Sequence, residues 1–514
     1  MTTDAEIHSA DQYVLLIFPP GAKACEPPLG ITSLAGVLRA HGLKCTIFDA
    51  NLEGQLFLLG QAPRATDTWS RRAARSLTTN LSALRLRPTY TNHDRYRRVV
   101  TDLNRLLAKA TTTGPTVSLA NYQDPVLSPL RSSDLLSAAA GPESSPFYPF
   151  FSMRLAQLLA EHSPAMVGIS LNYLSQALPA FAMIGFLRRE FPTLSVVVGG
   201  GLVTSWLANP EWRNPFGGLI DHLVAGPGEV PLLRLLGSAD LRTEFPPDLD
   251  GLPLGDYLAP GLILPYSASS GCYWRRCSFC PEKAEGQLYQ PKETERVIKE
   301  LRLLVERFEP TLIHLLDNAI SPALLRGLAK KTPGADWYGF ARAETLLADP
   351  AFCRQLRDSG CRMLKLGLES GDQGVLDALD KGIDLSLVSR VLKSLAGAGI
   401  ATYVYLLFGT PAETLVEARR TMEFVVQHHR EITFLNLAIF NLPIGSLEAK
   451  SLEISDFYDG DLSLYHDFRH PRGWNRREVR RFLDREFKRH PAIAPILRRD
   501  PPVFTSNHAA LTFP

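Results

Sequence analysis

The chain has 514 residues, of which 45% are hydrophobic and 21% charged, and its formal net charge is +2. This length predicts two or three domains with large cores, and the composition is typical of a soluble globular protein. No apolar run is long enough to span a membrane, and the polar N-terminus lacks the pattern of a signal peptide. We therefore expect a cytoplasmic protein.

The basic residues are concentrated in two stretches. Residues 64–110 contain eleven Lys or Arg against three Asp or Glu, and residues 468–500 contain eleven against four. These stretches have two interpretations: solvated helix faces, or a basic wall that faces an anionic or peptide substrate. Aromatic residues are not interleaved with the charges, which argues against a nucleic-acid partner.

The first half of the chain predicts an α/β domain over residues 1–245. Apolar runs and amphipathic segments predict strands at 13–18, 45–48, 166–170, 194–198 and 222–225, and helices at 29–41, 175–190 and 230–236. Residues 55–150 interrupt this pattern and predict a helical insertion, with helices at about 68–86 and 94–111. The Pro-rich segment 246–265 is predicted to be a linker.

A second α/β series begins near residue 266. Its strands are predicted at 313–316, 337–340, 363–368, 402–408 and 434–440, with helices between them. This alternation favours a parallel barrel or partial barrel over residues 266–455, with its site at the C-terminal ends of the strands. Residues 456–514 are predicted to form a basic helical extension.

Three of the seven cysteines, Cys272, Cys277 and Cys280, form the pattern C-x4-C-x2-C. Thiolates at this spacing suit an iron–sulfur cluster or zinc. A structural zinc site usually needs four protein ligands, and no further Cys or His lies nearby in the sequence. Three thiolates would leave one iron of a cubane cluster open to a small molecule. We therefore predict a cluster, with structural zinc or free thiols as the alternative.

The cysteine motif and the polar segments after the predicted strands resemble the radical S-adenosylmethionine (SAM) family. The resemblance implies a [4Fe–4S] cluster whose open iron is chelated by SAM, and reductive cleavage of SAM to a 5′-deoxyadenosyl radical. The usual family spacing is C-x3-C-x2-C, so this chain has one extra residue in the first interval. By the same resemblance, the SAM-binding residues are Phe279, Asp317, Arg342, Glu344, Glu369, Ser370, Gly409 and Glu413.

Residues 13–54 and 165–236 resemble the flavodoxin-like cobalamin-binding domain that precedes the radical domain in many relatives. The resemblance implies cobalamin contacts from Leu29, Asp49, Asn51, Ser170, Gly199, Gly200, Gly226, Gly228 and Glu229. Where related domains carry a cobalt-ligating histidine, this chain has Asn51, so the resemblance implies cobalamin without a histidine below the cobalt. The alternative is a domain of this fold that has lost its cofactor.

Taken together, the resemblance implies a cobalamin-dependent radical SAM enzyme that methylates an unactivated carbon of a small-molecule or peptide substrate. A reductase, flavodoxin or ferredoxin would supply electrons. One alternative is a radical cyclase or isomerase without methyl transfer, and another is a non-enzymatic cobalamin- or redox-responsive binding protein. The candidate catalytic residues are His314, Tyr403 and Tyr405, which are either substrate-facing or core and rim residues of the barrel.

Overall fold

The structure is a computed structural model that describes residues 13–61, 67–111, 114–456, 459–501 and 508–513. The chain divides into two compact units, one before and one after residue 258. Two short segments are exceptions, because residues 86–97 group with the second unit and residues 459–463 with the first. Within the described ranges, no helix is both long and apolar enough to cross a membrane.

The first unit is built on a five-stranded parallel sheet in the order β2-β1-β3-β4-β5. Its strands are β1 (Tyr13–Phe18), β2 (Lys44–Asp49), β3 (Met166–Ser170), β4 (Ser195–Gly199) and β5 (His222–Leu223). Consecutive residues Val14, Leu15 and Leu16 are all buried. Both faces of β1, an interior strand of the sheet, are therefore covered, as in doubly wound α/β proteins. The predicted α/β class is confirmed.

Several helices of the first unit lie where the sequence predicts them, at Leu29–Ala40, Leu174–Glu190, Glu229–Leu235 and His93–Ala110. The helix predicted at 68–86 is instead two helices, Thr68–Arg75 and Leu77–Leu84, followed by a single turn at Arg87–Tyr90. Four helices were not predicted: Ala50–Gly60, Ser132–Ala140, Tyr148–His162 and Gly201–Ala208.

The segment 55–150, predicted as an insertion, contributes to the packing of the first unit. Gly185, in the helix Leu174–Glu190, lies against the helix Ser132–Ala140. A Cβ added to Gly185 would lie 1.8 Å from the carbonyl oxygen of Ala139, so the two helices touch backbone to backbone. This close approach makes the helix Ser132–Ala140 part of the core.

The segment 246–265 is not the linker that its Pro-rich composition predicts. The Asp248 N–H donates to the carbonyl oxygen of Thr32 at 2.9 Å, and the Leu258 N–H donates to that of Ala24 at 2.8 Å. Residues Ile263–Tyr266 then form the first strand of the second unit. Proline is compatible with extended backbone, and the neighbouring residues supply the hydrogen bonds that attach it to other elements.

The second unit is an open barrel of six parallel strands that are neighbours in chain order. The strands are β6 (Ile263–Tyr266), β7 (Leu312–Leu315), β8 (Trp337–Ala341), β9 (Cys361–Glu369), β10 (Ala401–Phe408) and β11 (Phe434–Ile439). The main helices between them are Thr294–Phe308, Pro322–Lys330, Pro350–Asp358, Gln373–Ala378, Leu385–Gly397 and Leu415–Gln427. The predicted partial barrel is confirmed, and the C-terminal ends of all six strands meet at one rim.

The C-terminal extension is only partly helical. It includes the helices Arg476–Arg485 and Ala494–Arg498, but also the strand Tyr465–Phe468, which pairs with the short strands at 442–443 and 454–456. Phe482 packs on Phe408 of β10, with 6.1 Å between ring centroids. One face of the basic helix is therefore attached to the barrel.

Replacing Gly185 by Ala tests the helix contact in the first unit. We expect Gly185→Ala to lower the free energy of unfolding by about 1–3 kcal/mol, because the added methyl group overlaps the Ala139 backbone. Denaturant unfolding of both proteins measures this. The exposed Gly217, where an added Cβ has no neighbour within 4 Å, is the control, and an equal effect of Gly217→Ala would contradict the assignment.

Candidate active site

The three cysteines lie on the loop that follows β6, and each of them is half-buried. The loop starts at Gly271, whose φ is +67°, and a Cβ there would lie 2.6 Å from the carbonyl oxygen of Leu288. Glycine is therefore required at this position. Arg275, between the first two cysteines, has a φ of +46°, a left-handed conformation that turns the chain sharply within the lengthened interval.

The three thiols of this loop are one ligand short of a closed zinc site, whereas three thiolates would hold a cubane cluster with one open iron. Among the described residues, no three His, Cys, Asp or Glu side chains converge on the position of a single ion. A structural zinc needs four ligands around one ion, whereas thiolates around a cubane cluster bind separate iron atoms. Burial raises the pKa of the Cys277 and Cys280 thiols. Iron binding would displace their protons.

A network of charged side chains lies beside the cysteine loop, at the ends of β8 and β9. The Lys381 Nζ lies 2.7 Å from Oε1 of Glu369. Arg342 donates from Nη2 to the carbonyl oxygen of Lys381 at 2.6 Å, and its Nε lies 3.7 Å from Glu344. The Tyr273 hydroxyl donates to Glu344 at 2.9 Å, which attaches the cysteine loop to the network. The structure thus brings together three of the predicted SAM-binding residues.

Two further predicted residues flank this network. Phe279 is half-buried, and its ring centroid lies 5.4 Å from the Lys381 Nζ. Asp317 is buried after β7, where it accepts hydrogen bonds from the Ser269 hydroxyl at 2.5 Å and the Ala268 N–H at 3.1 Å. Burial raises the pKa of Asp317. Its carboxyl group therefore closes the turn at the start of the cysteine loop.

Two further predicted SAM contacts, Ser370 and Glu413, have side chains that are completely buried in the structure. Ser370 forms a hydrogen bond with the Thr421 hydroxyl at 3.1 Å. Glu413 accepts hydrogen bonds from the Gly409 N–H and, at 2.9 Å, from the indole N–H of Trp474. Both residues match family motifs in sequence position, but their side chains stabilise loops behind the rim.

The candidate catalytic residues lie on one face of the barrel strands and form an aromatic and basic cluster. His314 is buried, stacks on Tyr338 at 4.3 Å, and lies 2.9 Å from the Lys365 Nζ. Tyr403 is also buried and contacts Tyr405 at 4.7 Å between centroids. Of the three candidates, only Tyr405 is partly exposed. It is therefore the one best placed to meet a ligand in the barrel.

Sequence reasoning missed Lys365, Lys381 and Trp274. Lys365 had a signal, because it is the one charged residue in the apolar run Met363–Leu368 and is 1% exposed. Trp274 had a weaker signal as an apolar residue between two cysteines. No sequence signal indicated Lys381, because a helix separates it along the chain from its partner Glu369.

The C-terminal edge of the first sheet is rich in glycine, as the sequence predicts. Gly200 follows β4 with a φ of +105°, and a Cβ there would lie 2.5 Å from the Leu171 carbonyl oxygen. The Gly201 N–H donates to Oδ1 of Asn172 at 3.0 Å. Of the predicted contact residues, Gly226 is exposed, whereas Leu29, Gly199, Gly200, Gly228 and Glu229 are partly exposed and Ser170 is nearly buried.

The side chains of Asp49 and Asn51, which are predicted cobalamin contacts, point into the protein. Asp49 accepts hydrogen bonds from the Asn51 and Leu52 N–H groups and caps the helix Ala50–Gly60, and Tyr257 donates to it at 2.7 Å. The Asn51 Oδ1 accepts from the N–H groups of Gly21 and Ala22 at 3.1 and 2.9 Å. Each side chain is 1% exposed.

The barrel carries the signature of a known family. Residues 266–425 match the model of the Radical SAM superfamily. These residues are a radical SAM domain. The match begins at the last residue of β6 and includes the cysteine loop and the charged network beside it. The resemblance inferred from the cysteine spacing is confirmed.

Curated relatives with sequence similarity include three named enzymes. An uncharacterized methyltransferase of Pyrococcus horikoshii is 24% identical over 310 residues, which cover 52% of this chain and 66% of that protein. Bacteriochlorophyllide d C-12(1)-methyltransferase of Chlorobaculum tepidum is 26% identical and covers 34% of this chain and 40% of that one. Anaerobic magnesium-protoporphyrin IX monomethyl ester cyclase of Rubrivivax gelatinosus is 25% identical and covers 27% and 26%. The matches therefore span less than two thirds of each relative.

Solved structures with the same fold include the radical SAM methyltransferase TsrM of Kitasatospora setae, which was determined with cobalamin and a [4Fe–4S] cluster. It is 18% identical to this chain, with a TM-score of 0.53, and the alignment covers 88% of this chain and 81% of TsrM. A second TsrM structure, with tryptophan and a SAM analogue, gives a TM-score of 0.54. The two-unit fold, with a parallel α/β domain before the radical SAM barrel, is thus shared.

Removing any one of the three clustered cysteines tests the cluster assignment. We expect Cys272→Ala, Cys277→Ala and Cys280→Ala each to lose the iron and sulfide that the reconstituted wild-type protein retains, because three thiolates hold the cluster. Iron and sulfide analysis after anaerobic reconstitution measures this. Cys45→Ala, at a half-buried position of β2, is the control and should retain iron and sulfide like the wild type. Zinc in place of iron in the wild-type protein and in Cys45→Ala would contradict the assignment.

The buried carboxyl group of Glu413 predicts a change of stability with pH. Burial raises its pKa from 4.5 to about 7, despite the two hydrogen bonds that it accepts. The folded protein therefore binds this proton more tightly than the unfolded chain, and the resulting stability is lost as the pH rises from about 4.5 to 7. The free energy of unfolding of Glu413→Gln minus that of wild type should therefore increase by about 3 kcal/mol between about pH 4 and about pH 8.

Denaturant unfolding at both pH values measures this gain. The exposed Glu423, on the helix Leu415–Gln427, provides the control, because Glu423→Gln should follow the wild-type pH dependence. Equal pH dependence in wild type and Glu413→Gln would show that the buried carboxyl group does not titrate in this range.

Proposed function

We propose that this chain is a cobalamin-dependent radical SAM enzyme that methylates an unactivated carbon of a small-molecule substrate. The observation that carries the proposal is the combination of two folds in one chain. A parallel α/β unit with a glycine-rich C-terminal edge precedes a radical SAM barrel, as in the TsrM fold. Methyltransferases among the sequence relatives support methyl transfer as the outcome.

The second unit offers the residues that SAM requires. Cys272, Cys277 and Cys280 would hold the cluster, and the network of Arg342, Glu344, Glu369 and Lys381 presents both charges at the rim beside it. A zwitterionic amino-acid group needs donors and acceptors that converge in one place. We propose that the network orients this end of SAM while Phe279 and the rim residues exclude water around it.

The first unit fits a large planar ligand at its glycine-rich edge. An added Cβ at Gly226 would meet open space, and Gly201 is exposed at the start of its helix. Without side chains at these positions, a flat macrocycle can approach the backbone closely. The side-chain oxygen Oδ1 of Asn51 already accepts hydrogen bonds from the Gly21 and Ala22 N–H groups, so this residue offers no ligand to cobalt.

When bound, the cluster and SAM supply a 5′-deoxyadenosyl radical that abstracts hydrogen, and cobalamin supplies the methyl group. The protein must then hold the substrate in the barrel with a carbon facing the rim. Tyr405 is partly exposed on the strand face that carries Tyr403, and we propose that it lines this part of the substrate site. A reductase, flavodoxin or ferredoxin as electron donor and a cytoplasmic location complete the proposal.

The products formed from SAM test the reaction. With its substrate, the reduced holoenzyme should form both S-adenosylhomocysteine and 5′-deoxyadenosine, since one SAM is the methyl source and another the radical source. Chromatography with mass detection measures both products, and Cys277→Ala is the inactive control. Formation of 5′-deoxyadenosine alone with a turned-over substrate would contradict methyl transfer. It would instead favour the second candidate, a radical cyclase or isomerase, to which the match with the monomethyl ester cyclase points.

Retention of a corrinoid tests the first unit separately. Gly201 lies at the helix start with ordinary surroundings, so Gly201→Leu adds a side chain to the edge with little backbone strain. We expect this variant to retain less cobalamin than wild type after reconstitution and gel filtration, as measured by corrinoid absorbance. Gly217→Leu, in an exposed loop, should retain the wild-type amount. A wild-type protein that binds no corrinoid would defeat the cobalamin proposal.

A further inference from the structure

The turn formed by residues 379–382 contacts the cysteine loop through hydrogen bonds and an ion pair. The Ser278 N–H donates to the carbonyl oxygen of Leu379 at 3.0 Å, and the indole N–H of Trp274 donates to that of Asp380 at 3.1 Å. The guanidinium of Arg276 lies 3.0 Å from the Asp380 carboxylate. Residues in both cysteine intervals are therefore attached to this one turn.

The indole of Trp274 lies directly against Gly382, the last residue of the turn. Gly382 has a φ of +65°, and a Cβ there would lie 1.9 Å from Cζ2 and 2.4 Å from Cη2 of the indole. Both atoms belong to the six-membered ring, and a phenylalanine side chain would not reach as far. Glycine at 382 thus leaves the space that the tryptophan occupies.

The same indole supports the charged network beside the cluster. The Cζ of Arg342 lies 4.2 Å from the Trp274 ring centroid, a cation–π contact, and the Arg342 side chain also donates to the carbonyl oxygen of Lys381 within the turn. Arg342 is 7% exposed, so the position of its guanidinium depends on these contacts. One side chain therefore links the cysteine loop, the turn and the network.

The lengthened first interval of the cysteine motif explains how the indole reaches this place. Arg275 follows Trp274 and takes the left-handed conformation. The Trp274 side chain points away from the loop, and the turn at Arg275 directs the backbone towards Cys277. In a shorter interval, fewer residues would separate the two cysteines for such an excursion.

We propose that Trp274 is a positioning residue, locked by Gly382, that sets the cluster loop against Arg342 and thereby couples SAM binding to the geometry of the cluster. The proposal rests on the radical SAM domain and is independent of cobalamin and of methyl transfer. It also assigns a role to the extra residue between the first two cysteines.

The contact is tested on cluster-free protein by comparing Gly382→Ala in two backgrounds, wild type and Trp274→Phe. The added methyl group overlaps the indole, so Gly382→Ala should lower the thermal unfolding midpoint more in the wild-type background than in Trp274→Phe. Gly399→Ala is the matched control, because Gly399 has a similar φ of +73° and only an ordinary contact at 3.8 Å. An equal decrease in both backgrounds would contradict the proposed contact between Trp274 and Gly382.

The coupling is tested on reconstituted protein by electron paramagnetic resonance of the reduced cluster with and without SAM. Trp274→Phe should retain iron but show a weaker SAM-induced change in the spectrum, and its rate of SAM cleavage should fall on the order of 100-fold. A wild-type spectral change and cleavage rate in Trp274→Phe would overturn the proposal. Loss of iron uptake by Trp274→Phe would also overturn the proposal, because the indole would then be needed to form the cluster site itself and not to position Arg342.

If the wild-type protein cleaves SAM but transfers no methyl group, the proposed function fails while both tests of Trp274 keep their meaning.

Discussion

The burial of positive charge beside the cysteine loop is the constraint on which the active site depends. Arg342 and Lys381 are each 7% exposed, and a buried cation without partners costs several kcal/mol. Lys381 is paired with Glu369, and Arg342 is held by a backbone carbonyl group and the face of Trp274. Because these partners come from β9, the turn after it and the cysteine loop, satisfying the two charges fixes three segments relative to one another.

This constraint also bears on the thiols. Burial raises the pKa of Cys277, whereas the nearby charges of Lys381 and Arg342 act in the opposite direction. The cations therefore favour the thiolate form that iron requires. Under the proposed function, the same cations would also meet the amino-acid end of SAM at the rim of the barrel.

Much of the fold was predictable because its signals are local in the sequence. The strands of both sheets are short apolar runs, and the three cysteines lie within nine residues. What sequence could not show was the direction of side chains. Asn51 and Glu413 match family positions, yet each side chain is buried and accepts hydrogen bonds from backbone N–H groups of this protein.

Contacts between distant segments were equally invisible. Trp274 and Gly382 are separated by more than one hundred residues, and neither residue indicates the other in the sequence. The Pro-rich segment 246–265 predicted a linker because proline disfavours helices and central strands. Its composition does not indicate which residues the segment contacts. Its hydrogen bonds to the carbonyl oxygens of Ala24 and Thr32 depend on the folded first unit.

Mössbauer spectroscopy of protein reconstituted with ⁵⁷Fe, with and without SAM, is the most direct test of three thiolates around a cubane with one open iron. We predict a [4Fe–4S] signature in which addition of SAM alters the parameters of a single iron site. A spectrum without a cubane, or four iron sites that do not respond to SAM, would contradict the assignment of this active site.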